Sequence, residues 1–234
     1  MTVIKPVGER TLGQELGTAL RRMALPAVLI FGVVVLLGLL FTKALKGTEV
    51  ADADAWVGRE LAQNRTPTAD DLTHYGSLLG ETPTIIGLTA LVAIIFRVVF
   101  QRWRESVIVV LCVSGQALIF MVTQLLIDRQ RPSVPRLDDS PPTSSFPSGH
   151  TAASTALYLS VGLIVAWHTR HVWLKWLAIA LGVLLPLTVG FCRLYRGMHF
   201  PTDTTTSILL SVSLIAVATR VLPVTANHRS VRRR

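Results

Sequence analysis

The chain has 234 residues, of which 50% are hydrophobic and only 16% charged, with a mean hydropathy of +0.51 and a net charge of +9. Charged residues average about 25% of a soluble domain, and here the apolar residues fall in long runs, which excludes an ordinary water-soluble globule. The positive balance does not point to nucleic acid, because membrane proteins gather Lys and Arg on their cytoplasmic side, and the basic end from Arg229 to Arg234 suits anionic lipid headgroups.

Residues 1–23 are polar and basic and are expected to form a cytoplasmic segment. Leu12, Leu16 and Leu20 recur every four residues and suggest a short interfacial helix, against which Gly13 and Gly17 count. The run 24–44 predicts the first transmembrane helix. It is longer than the apolar region of a signal peptide and lacks a small-x-small cleavage site. Residues 45–82 form an acidic connection carrying Glu49, Asp52, Asp54, Glu60, Asp70, Asp71 and Glu81, read as a solvated extracytoplasmic face. Within it, Asp52–Gln63 suits an amphipathic helix, Thr66-Pro67-Thr68 a break, and Thr68 or Asp70 the cap of a second helix.

Five more apolar runs predict helices near 83–101, 106–127, 150–167, 173–192 and 203–222. Pro186 is expected to kink the fifth span, and Pro201 and Asp203 suit the first turn of the sixth. The expected architecture is all-α: one six-transmembrane-helix integral membrane bundle over 24–222, followed by a basic cytoplasmic tail at 223–234. Cys112 lies in an apolar run and Cys192 at a helix end, with no metal-type or disulfide spacing.

Sidedness follows from charge. With the amino end inside, inner segments carry 14 Lys and Arg and outer segments 9, so both termini are expected in the cytoplasm. The loop before His150 and the loop before His199 are separated by two spans and therefore open on the same, outer side.

Those loops carry the chemistry. His199 and Asp203 are four apart at a helix start, where one face holds both. A carboxylate accepting from one imidazole nitrogen leaves the other free as a nucleophile. Pro147-Ser148-Gly149-His150 opens a helix whose free N–H groups and dipole favour an anion. Ser148 adds a hydroxyl, and His150 can protonate a leaving oxygen. Arg131 and Arg193 offer planar forks for phosphate oxygens, whereas Arg129, Arg136 and Arg196 are also explained by headgroup anchoring. Asp138-Asp139 reads as solvated loop rather than a cation site. The set supports phosphoryl transfer to His199 without a metal or other cofactor.

These residues fall into three spaced motifs: Gln124 to Arg131-Pro132, Pro147 to His150, and Cys192-Arg193 followed by His199 and Asp203. In that pattern the sequence resembles the type-2 phosphatidic acid phosphatase family, whose site is shared with vanadium haloperoxidases. The resemblance implies a membrane phosphatase with its site at the outer membrane surface. In it His199 is the nucleophile, Asp203 its orienter and His150 the general acid, while Arg131, Ser148, Gly149, Arg193 and Gln124 bind phosphate. It implies a lipid phosphate substrate (phosphatidic acid, phosphatidylglycerol phosphate or a polyprenyl diphosphate), the bilayer as partner, and no nucleic acid. Two positions depart from the family: Gln124 stands where Lys is usual and Cys192 where Ser is usual. The alternative they raise is a non-catalytic lipid-phosphate-binding membrane protein with a weakened site. Arg129 is a candidate to compensate for the charge missing at Gln124.

Overall fold

A computed structural model describes residues 11–139 and 143–223. The first ten residues and the basic tail from 224 onward, expected to be cytoplasmic, lie outside them. Among the described residues all regular structure is helical, and six helices are long and apolar enough to cross a membrane. After the first, each spanning helix begins one or two residues before the expected start, because capping and proline-bearing turns precede the apolar runs.

Helix α1 (Leu12–Leu39) continues through a π turn at Leu40–Ala44. The boundary expected near residue 24 is absent, and Leu12, Leu16 and Leu20 belong to the spanning helix itself. The reason is its start: Thr11 accepts from the Gln14 N–H while Gln14 reaches back to the Thr11 N–H, a reciprocal cap that fixes the first turn. Gly13 and Gly17 face open space and do not interrupt it.

The acidic connection forms the two expected helices, with Glu49, Asp52, Glu60 and Asp71 exposed and Asp54 alone of its acids buried. The helices are α2 (Glu49–Gln63) and α3 (Pro67–Leu78). Thr66, not Thr68 or Asp70, caps α3 by accepting from Ala69 N–H, with Pro67 in the first helical position, where a missing N–H costs nothing.

Helices α4 (Thr82–Phe100) and α5 (Arg104–Leu126) form a hairpin, pinned where Ser106 donates to the Ala93 carbonyl. The fourth span starts as α6 (Gly149–Ser154), passes through a π turn at Thr155–Leu159, and ends as α7 (Ser160–His168). The last two are α8 (Val172–Tyr195), which carries Pro186 in its interior, and α9 (Pro201–Val221). α7 and α8 cross at Gly162 and Gly182. A methyl on Gly162 would come within 2.4 Å of the Ala178 carbonyl oxygen, so glycine lets the backbones meet. The polar residues of α9 face α6: Ser207 accepts from the Ser148 N–H and Ser211 donates to the Ala152 carbonyl.

At one end of the bundle Glu105, fully buried, is paired with Arg102 and faces His168 at 3.3 Å. At the other end lie α2, α3, the loop segments 127–139 and 143–148, and the turn 196–200. The two motif loops therefore share one end, as the even number of spans between them requires.

Candidate active site

The turn that carries His199 is built by the end of α8. Met198 N–H donates to the Arg193 carbonyl and Gly197 N–H to the Leu194 carbonyl, with Gly197 at φ +73°. This paired closure of a helix end needs a left-handed residue, and at Gly197 a side chain would also meet Val134 at 2.9 Å. The chain turns sharply and places His199 just before α9, where Asp203 sits in the first turn and accepts from the Phe200 N–H at 2.9 Å.

His199 is 5% exposed. Its Nδ1 lies 2.7 Å from the Ser145 carbonyl oxygen and 3.7 Å from Asp203 Oδ2. A carbonyl can only accept, so Nδ1 carries the proton and the neutral ring keeps its lone pair on Nε2. The geometry corrects one expectation: Ser145, not Asp203, takes the orienting hydrogen bond, and Asp203 acts across a longer gap through its charge. Burial lowers the His199 pKa below its ordinary value, with Asp203 opposing and Arg193 and Arg131 adding to the drop. The ring is therefore neutral at pH 7.

Asp203 is itself held by Arg129, for which the sequence suggested headgroup anchoring or compensation for Gln124. Arg129, 8% exposed, donates to Asp203 and Thr202 from one nitrogen and to Asp54 on α2 from the other, at 2.8 Å for the last. Asp54 also accepts from the Thr202 N–H and hydroxyl. Arg129 consequently does not replace the charge missing at Gln124, since its guanidinium is committed to two carboxylates and stacks 4.5 Å over Phe200. No local pattern signals this network, because Asp54 and Asp203 are 149 positions apart.

Six of the expected residues line one cavity of about 500 Å³: Gln124, Arg131, Gly149, His150, Arg193 and His199. Arg131 donates to the Met198 carbonyl at 2.8 Å, and Arg193 to Ser77 at 2.8 Å and Asp138 at 2.7 Å. The Nε groups of both arginines are buried with no hydrogen-bond partner, a donor pair that phosphate oxygens would satisfy. Burial, and after it the charges of Arg193 and Arg136, lowers the Arg131 pKa against the opposing charge of Asp203. Gln124 donates to the Ser144 carbonyl at 3.0 Å, so part of its hydrogen-bonding capacity goes to the loop.

Ser148 and Asp203 do not reach that wall. Ser148 is fully buried, its hydroxyl 3.0 Å from Thr151 Oγ1 and its N–H bound to Ser207, so it anchors α6 rather than facing an anion. Gly149 has a packing reason as well: a methyl there would lie 2.9 Å from the Phe120 ring. Cys192 is also off the cavity, packed against Gly76 of α3, where a methyl would come within 2.6 Å of its sulfur. Both cysteines are free thiols.

Asp138 is not solvated loop. It accepts from Arg193 and twice from the Arg196 Nε and Nη2. Burial raises its pKa, but the Arg196 and Arg193 contacts outweigh this and hold it below the usual carboxylate value. Arg196 further donates to the Leu137 and Asp70 carbonyls, tying the motif loop to α3. Among the described residues no group of three or more His, Cys, Asp or Glu is placed to hold a metal ion.

Comparison with known proteins places the chain in a family. The PAP2 superfamily profile matches residues 84–225, which carries every motif residue above. Phosphatidylglycerophosphatase B of Bacillus subtilis is 26% identical over 174 residues, covering 70% of this chain and 81% of that protein. Undecaprenyl-diphosphatase of Sulfolobus acidocaldarius is 26% identical over 186 residues, covering 76% and 84%. The crystal structure of a transmembrane PAP2 type phosphatidylglycerolphosphate phosphatase from Bacillus subtilis has the same fold, with a TM-score of 0.69 at 21% identity, over 83% of this chain and 94% of that one. With six membrane-spanning helices, a profile match over more than half its length and a shared fold, the chain belongs to the PAP2 superfamily of membrane phosphatases.

Proposed function

We propose that the protein hydrolyses a lipid phosphate through a phospho-His199 intermediate, with no metal. One observation carries the reading: His199 shares a cavity with His150, Arg131 and Arg193, and that cavity continues as an apolar groove along α4 and α5. The phosphate end is polar and the rest suits a hydrocarbon chain.

In the first step His199 Nε2 attacks phosphorus as the phosphorus–oxygen bond to the lipid breaks, and His150 delivers a proton to the departing oxygen. In the second, His150 takes a proton from water as the water oxygen attacks phosphorus. The phosphorus–nitrogen bond breaks, and phosphate leaves with His199 restored. Arg131 and Arg193 stabilise the transferring group, which supplies the positive charge for which other phosphatases recruit a cation. The relatives' names span a glycerophospholipid phosphate and a polyprenyl diphosphate, and both classes suit a groove of this kind. Phosphate release from a panel of both by the purified protein tests the reading. His199→Ala should abolish release, and undiminished release would remove the phospho-His199 step.

The charge bias supports an outer location for this end of the bundle, with both termini cytoplasmic. Single cysteines at Ser133, exposed on the motif loop, and Gln101, exposed at the opposite end, test it in intact cells. Impermeant labelling should reach position 133 and not 101; the reverse pattern would invert the topology.

A further inference from the structure

The cavity has a second polar point, far from the phosphate end. Gln116 on α5 lines it, is 3% exposed, and its Oε1 is buried with no hydrogen-bond partner. Around it the wall is apolar, formed by Ile85, Ile86, Val113, Ala117, Phe120 and Met121. Leaving an amide oxygen unpaired in such surroundings is destabilising, and a core position would be better filled by Leu or Met. Other buried orphan hydroxyls, at Thr42, Thr89 and Thr123, do not line the cavity. Among the described residues, the cavity-lining residues that carry an orphan polar atom are Arg131, Arg193 and Gln116.

Their spacing is informative. Gln116, Phe120 and Gln124 recur every four residues and share one face of α5. Eight residues of helix put Gln116 about 12 Å from Gln124 along the axis. A hydrogen bond of about 3 Å at each end leaves roughly 6 Å between, near the length of a glycerol backbone from its phosphate to its ester oxygens. An amide offers an acceptor to a hydroxyl and a donor to an ester carbonyl. A polyprenyl chain has neither and would leave Gln116 unpaired along its length.

We propose that Gln116 is a specificity residue that hydrogen-bonds the oxygenated glycerol backbone of the substrate, so that the enzyme selects glycerolipid phosphates over polyprenyl phosphates. This rests on the lipid phosphatase reading above and narrows its substrate. Selectivity of this type is sharp because the wrong substrate strands a buried polar group.

The test compares dioctanoyl phosphatidic acid, its lyso form and farnesyl phosphate as substrates of the unmutated enzyme and of Gln116→Leu. The unmutated enzyme should favour the two glycerolipids. Gln116→Leu should lower their kcat/KM about tenfold, mostly through KM, and leave farnesyl phosphate unchanged or improved. A larger loss with the lyso form assigns the contact to its hydroxyl, and a larger loss with the diacyl form to the ester. Equal losses on all three substrates, no loss on any, or an unmutated enzyme that prefers farnesyl phosphate would overturn the proposal. Gln116→Met, similar in size, replaces Gln116→Leu if the latter does not fold. Binding of the same lipids to His199→Ala protein, with and without the Gln116 change, reads the contact without turnover. A discriminating effect on binding with no turnover in the unmutated enzyme would refute the phosphatase reading and keep the contact.

Discussion

Arg129 bridges Asp203 to Asp54, so the carboxylate beside the expected nucleophile is tied to a helix outside the membrane-spanning bundle. All three side chains are nearly inaccessible to solvent, and breaking a buried pair by removing one partner costs about 3–5 kcal/mol, because an uncompensated charge remains. Arg129→Met strands two carboxylates. It should lower the thermal midpoint in detergent and reduce phosphate release by at least two orders of magnitude. Asp54→Asn keeps the Thr202 contacts and most of the geometry, and should lower stability less. If Arg129→Met unfolds no earlier than the parent, the network is not what holds Asp203.

The His199 pKa lies below its ordinary value of 6.5, since burial outweighs the Asp203 charge. The neutral ring, the form proposed as nucleophile, is therefore present at and above that pH and is lost only as pH falls through the lowered value. The acid limb of kcat/KM should fall below pH 6.5. Asp203 raises this pKa, so Asp203→Asn should reduce the plateau and also move the limb to lower pH. A limb that stays in place or moves upward would show that Asp203 does not act on His199 through its charge.

Arg193 and Arg196 both contact Asp138 but should separate in kinetics. Arg193 lines the cavity with its Nε unpaired, while Arg196 is absent from the wall and donates to Asp138, Leu137, Asp70 and Thr73. Arg193→Gln should lower kcat/KM by a hundredfold or more, as expected for a lost charge-assisted phosphate contact. Arg196→Gln should lower the unfolding temperature and change kcat/KM by less than tenfold. Equal kinetic effects would place both arginines on the substrate.

The spans were legible because each is a local apolar run, and the shared end of the two motif loops followed from counting them. His150, His199, Arg131 and Arg193 could be read from motif spacing. What escaped the sequence depends on pairings across long separations. Asp54 and Asp138 look like solvated acids until the arginines they meet are placed beside them. Ser148 satisfies the pattern for an anion site, yet Thr151 and Ser207 take its hydrogen bonds. The start of α1 was missed because a polar first turn masks a helix that a capping box has already fixed.

Gln124 lines the phosphate end but carries no charge. A hydrogen bond to a charged group contributes about 1.5–3 kcal/mol against 0.5–1.5 for a neutral one. Gln124→Lys should therefore raise kcat/KM by about fivefold to tenfold, while Gln124→Ala should lower it modestly and loosen the loop at Ser144. A silent enzyme that becomes active with Lys would instead indicate a protein retained for binding.

Cys192 is the second departure from the family pattern, and the structure makes it a packing position. Its sulfur fits against Gly76, away from the cavity, and its surroundings are a helix contact between α3 and α8. Cys192→Ser should change kcat/KM by less than about twofold, with a small loss of stability from burying a hydroxyl. Gly76→Ala should do far more harm, since a methyl 2.6 Å from the sulfur forces α3 away from α8 and with it Ser77, which holds Arg193. Thermal unfolding and phosphate release of the two variants check this. A large activity gain in Cys192→Ser would mean that the hydroxyl reaches the phosphate, as it is expected to do in the family, and that α3 and α8 pack differently in the working enzyme.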